Sequence, residues 1–117
     1  MLSAALLRNL EEAGTAVAIL SDSVEEQELG ASRLTRAEVE RQLLVMAQSL
    51  ADLGPAVAVE MPEIDGAGWR LLADALAPGG TRAWETVWFA VESLVPATLL
   101  WLRVYRNSRP EWFEFRV

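Results

Sequence analysis

Thr35-Arg36-Ala37-Glu38-Val39-Glu40-Arg41-Gln42-Leu43-Leu44-Val45-Met46-Ala47-Gln48-Ser49-Leu50-Ala51-Asp52-Leu53 is the stretch that decides the fold. Its first four residues match a helix-start pattern in which a hydroxyl and a carboxylate three residues apart satisfy each other's backbone amides. Val39, Leu43, Met46, Ala47, Leu50 and Leu53 then recur at spacings of three and four, which lines one face of a helix. Gly54-Pro55 ends or interrupts it, because proline removes a backbone donor and drives the residue before it out of helical geometry.

The same period continues on both sides. Upstream, Leu6, Leu10, Ala13, Val17, Leu20 and Val24 share a face, which predicts a long first helix. Gly14 and Ser21-Asp22-Ser23 weaken it. We read it as one bent helix, with Ser23 and Glu26 as the alternative start of a separate helix. Gly30-Ala31-Ser32 reads as a stop and a turn.

Downstream, Ala56 to Glu60 fits helix or strand. Asp65 caps a short helix carrying Trp69, Leu72, Ala73 and Leu76, and Pro78-Gly79-Gly80 breaks it. Thr81 is placed to cap a last helix on which Trp84, Val87, Trp88, Val91, Val95, Thr98, Leu102 and Tyr105 follow helical spacing, with a kink at Pro96. Phe89, Leu94, Leu100 and Trp101 lie off that stripe, so this helix is apolar on more than one side. The expected architecture is all-α: an antiparallel bundle of four to five helices over residues 1–107. A tail, 108–117, packs on the bundle or on a partner.

Composition narrows the chemistry. The 117 residues are 52% hydrophobic, enough for one packed core and too few for two domains. There is no cysteine and no histidine, and all ten basic residues are arginine against 17 acidic ones, a formal charge of −7. A chain without His or Cys offers no Ser-His or Cys-His nucleophile pair, no zinc site of the usual ligands and no histidine base. Its acidity disfavours broad nucleic-acid binding through a basic surface. Glu11-Glu12 and Glu38-Glu40 carry no metal-ligand spacing, so neither metal nor cofactor is expected. Met1-Leu2-Ser3-Ala4 lacks the basic-then-apolar order of a secretory signal, which makes a cytoplasmic location the default expectation. Val87 to Leu102 is short for a bilayer span, contains Glu92 and Pro96, and reads as a buried helix.

Three pieces, taken in order, carry a family resemblance: Val39-Glu40-Arg41-Gln42-Leu43 on a helix, Met61-Pro62-Glu63-Ile64 at a junction, and Trp88 eight positions before Pro96. Together they resemble the HEPN domains of the HepT-like group over roughly Leu6 to Leu102. The resemblance implies a helical bundle, a homodimer, and a place in a toxin–antitoxin module beside a nucleotidyltransferase. It also implies a ribonuclease motif, Arg-x-x-x-x-His, near the break before the last helix. Placed by its internal leucine, Leu76, and the downstream tryptophan, that motif falls on Ala73 to Pro78, with Ala73 for the arginine and Pro78 for the histidine. Neither can activate a ribose hydroxyl or hold phosphate charge, so no catalytic residue is assigned.

The remaining candidates concern binding. Trp84, Trp101, Tyr105, Trp112 and Phe113 are candidate partner or dimer contacts, aromatic residues being favoured in interfaces, with core packing as the plain alternative. Arg70, Arg82, Arg103 and Arg106 are candidate phosphate or RNA contacts, with pairing to carboxylates as the plain alternative. The leading expectation is a catalytically degenerate domain that dimerises and binds a protein partner. One competing reading is a ribonuclease with a non-standard site at Arg70, Asp74 and Arg82. The other is an acidic antitoxin or immunity-type protein that covers a toxin surface.

Overall fold

The computed structural model describes residues 2–114. Phe115, Arg116 and Val117, read above as part of the tail, lie outside the described residues. The chain is all-α, with no strand among the described residues. Helix α1 spans Ala4–Ser21, α2 Glu26–Ala31, α3 Arg33–Leu53, α4 Ala56–Glu60 and α5 Gly66–Leu76. The last helix is continuous from Trp84 to Ser108. It consists of α6 (Trp84–Phe89), a π-helical turn (Ala90–Leu94) and α7 (Val95–Ser108), and a 3₁₀ turn, Pro110–Phe113, follows it. Four long helices therefore make the bundle, and α2 and α4 are single short connectors.

The first helix is shorter than the single bent helix read from its stripe. Ser3 caps it by accepting from the Leu6 amide, and it stops at Ser21. Ser23 turns the chain with a φ of 58°, a left-handed value no helix interior tolerates. The next helix begins only at Glu26, with Glu25 rather than Ser23 in the cap position. The cause lies in Ser21, whose hydroxyl donates back to the Val17 carbonyl and competes with helix continuation.

Two other caps move in the same way. Ser32, not Thr35, caps α3: its hydroxyl accepts from the Thr35 amide and donates to the Thr35 hydroxyl. Ala83, not Thr81, precedes α6, while Thr81 accepts from the Ala83 amide within the loop. Asp65 caps α5 as expected, accepting from the Gly68 amide at 2.9 Å. Gly54 ends α3 with a φ of 76°.

Helix α1 packs chiefly along α3 and also against α7. It runs antiparallel to α7, with Glu11 meeting Arg106 and Gly14 meeting Leu99. Gly14 does not break α1; a Cβ there would stand 2.8 Å from Leu99 and 3.0 Å from Met46, so the small residue lets three helices approach. The stripe on α3 is buried throughout, from Val39 to Leu53. On α1 the buried set is Leu7, Leu10, Ala13, Gly14 and Val17, so Leu7 takes the inner place that spacing had given to Leu6.

Helix α5 lies between α3 and the π turn. Its Trp69 is buried, and the indole N–H donates to the Thr98 hydroxyl at 3.0 Å, joining elements 29 residues apart. Pro96 lies just beyond the π turn. Having no N–H, it cannot bond the carbonyl four residues back, and the wider turn accommodates the lost rung.

Candidate interaction face

The last helix is 25 residues long and apolar enough to cross a membrane by length and composition, yet only 39% of its most apolar window is buried. That corrects the reading of a short, buried helix. Val87, Val91, Leu94, Val95, Thr98 and Leu102 form its inner face. The outer face carries Phe89, Ser93, Ala97, Leu100 and Val104, separated by four, four, three and four residues, all exposed. Phe89 and Leu100 keep about half of their surface in water, 50% and 53%. Glu92, Pro96 and Arg103 run beside them, also exposed. Neither Glu92 nor Arg103 forms an ion pair with any described residue. The sequence puts Phe89 and Leu100 off the main stripe, and Phe89 belongs to the aromatic set that could form an interface. The signal was there: an apolar helix with two faces needs two partners.

The other aromatic candidates go elsewhere. Trp84, Trp101, Tyr105 and Trp112 are half-buried and pack on the chain's own core, and Phe113 is buried in it. Trp84 stacks on Trp88 with ring centres 6.0 Å apart. Tyr105 lies between Trp101 and Trp112, at 6.3 and 5.6 Å. Its hydroxyl is buried with no hydrogen-bond partner among the described residues. The tail through Phe113 thus docks on its own bundle, held by the Arg106 guanidinium 4.6 Å above the Phe113 ring and by Arg109 4.7 Å above Trp112.

The four candidate phosphate-binding arginines divide. Arg106 pairs with Glu11 of α1. Arg82 pairs with Glu40 at 2.8 Å, and Glu40 also takes Arg36 at 2.8 Å. Arg36 donates to the Arg82 carbonyl at 3.0 Å and lies 4.8 Å from the Trp84 ring, and Arg82 donates to the Leu76 carbonyl at 3.4 Å. Glu40 is thereby a staple that fastens the loop before α6 to α3. Arg82 sits there with a φ of 49°, a left-handed conformation uncommon for a residue with a Cβ. Arg70 and Arg103 are exposed and form no ion pair with a described residue. The structure therefore does not gather the four cations into one site.

Ala73, standing where the resemblance would put the motif's arginine, is half-buried and Pro78 is exposed. Ala73 lines a groove of about 560 Å³ between α3, α4 and α5. Half of its lining residues are alanine or glycine, and Arg70 also lines it. Glu38, on the exposed side of α3, is a carboxylate held far below its usual range. Hydrogen bonds from Arg41, then from Gln42, bring it down to about 2. Comparison with protein-family models, with curated proteins and with solved structures finds no match.

Proposed function

We propose that this chain is a non-catalytic association domain, HEPN-like in the order of its sequence motifs, that acts by holding protein surfaces together. The observation that carries this reading is the outer face of the last helix. It presents Phe89, Ala97, Leu100 and Val104, with Ser93 among them, to solvent along a helix long and apolar enough to cross a membrane, on an otherwise strongly acidic chain. A ribonuclease reading has less support, because Arg82 is engaged with Glu40 and with the Leu76 carbonyl, and no histidine exists to share a phosphate with it. By family analogy the heterologous partner is a nucleotidyltransferase encoded nearby.

The experiment is co-expression of the chain with its chromosomal neighbours, followed by size exclusion with light scattering and mass spectrometry. A complex larger than one copy, reduced in mass by Leu100→Asp, is expected. A wild-type chain that elutes alone as a monomer, or a complex that Leu100→Asp leaves intact, overturns the reading. A complex without a nucleotidyltransferase overturns the analogy alone.

A further inference from the structure

The groove between α3, α4 and α5 is lined by residues of those helices and their connections, and by none of the last helix. Its floor is hydrocarbon: Leu50, Val57, Ile64 and the Trp69 ring line it, and all four are buried. Two glycines of the lining keep it open, since a Cβ at Gly54 or at Gly66 would meet nothing within 4 Å. At about 560 Å³ the opening falls in the range of roughly 300–1,000 Å³ that receives small ligands.

Polar groups decide what such a groove receives. Arg70 is the only charged side chain among the described lining residues, and it is exposed, with no ion pair to a described residue. Asp74 stands one turn further along α5, but a basic residue followed by an acidic one is the weaker order for a pair within a helix, and the two form no ion pair. The other polar side-chain group of the lining, the Trp69 indole N–H, is already committed to Thr98. A ligand with several polar groups, such as a nucleotide, would therefore bury them without partners. A dianion would meet one cation on a chain of net charge −7.

We infer that the groove binds a monocarboxylate with an unbranched hydrocarbon tail, a medium-chain fatty acid. The tail lies along Leu50, Val57, Ile64 and Trp69, and the carboxylate accepts two N–H groups of the Arg70 guanidinium, whose planar fork matches it. The site is separate from the outer face of the last helix and does not depend on what that face binds.

The test is titration of the purified full chain with sodium decanoate, kept below the concentration at which it forms micelles, by calorimetry and by NMR of the alanine methyls. Saturable binding below about 1 mM is expected. The methyls of Ala51, Ala58 and Ala73, which line the groove, should shift, and that of Ala97 on the outer face should not. Each methylene removed from water is worth about fourfold in affinity, so octanoate should bind at least about tenfold more weakly. Decanol, with the same tail and no charge, should bind about fivefold more weakly than decanoate, and Arg70→Gln should abolish that difference by weakening decanoate alone. Ala73→Leu, which sets a larger side chain in the groove, should weaken decanoate and decanol alike. Circular dichroism checks that both variants keep their helices.

A folded chain that shows no saturable binding of decanoate overturns the inference. Equal affinity for decanoate and decanol overturns it too, as does decanoate binding that Arg70→Gln leaves unchanged. Shifts led by Ala97 would put the amphiphile on the outer face, and decyl phosphate binding more tightly than decanoate would make the ligand a phosphate; either result overturns the assignment.

Discussion

Two residues show how local contacts set measurable constants. The Glu38 carboxylate accepts from Arg41 at 2.7 Å and from Gln42 at 2.9 Å, all on the water-facing side of α3. Carbon-detected NMR titration should find Glu38 near 2, and Arg41→Ala should return it toward 4.5. Because the folded value is depressed, the linked stabilisation is complete above about 4.5 and fades as pH falls from there through about 2. Gly80 acts through space instead. A Cβ there would stand 2.4 Å from the carbonyl oxygens of both Asp74 and Ala75, and backbone cannot swing aside as a side chain does. Gly80→Ala should cost about 2–4 kcal/mol, seen as a lower urea midpoint at unchanged slope.

Among the elements, the tie between α5 and α7 is a single buried hydrogen bond from Trp69 to Thr98. Thr98→Val keeps the shape but leaves the indole N–H buried without an acceptor. The expected loss is about 1–3 kcal/mol, read as a lowered melting temperature, while Thr98→Ser keeps most of the stability. This bond was not legible in the sequence, since nothing in local spacing pairs residues 29 apart. The helices themselves were legible wherever a stripe was long: α3 follows its stripe from Val39 to Leu53. Their ends were less so. Ser32 outcompeted Thr35 as a cap, and Ser21 ended α1, because hydroxyl side chains have several backbone partners within reach and tertiary packing selects among them.

For the whole molecule, the binding candidates were read by residue type, and the fold redistributed them. Arg82 and Arg106, candidate phosphate contacts, went to internal pairing, and Trp84, Trp101 and Trp112, candidate interface residues, to internal stacking, whereas Phe89, Leu100 and Val104 came to the surface. Which side of a two-faced helix meets the core depends on where its neighbours land, and that is a property of the assembled bundle. Purified chain should leave RNA intact, and Arg82→Ala should lower the melting temperature by releasing the loop before α6; RNA cleavage abolished by that substitution would reverse this assignment.

The π turn at Ala90–Leu94 carries a further consequence, one of chain length. It holds the helix one residue longer than regular winding needs, so removing Ser93 would restore an ordinary hydrogen-bond ladder. Because a π turn takes up an extra residue without rotating what flanks it, the same deletion would leave Trp84 facing Arg36, now at 4.8 Å. It would shorten the outer face by one small residue and leave the inner face in place. A copy of this chain shortened there is expected to keep its fold on a more regular helix, with a melting temperature no lower than that of the full chain.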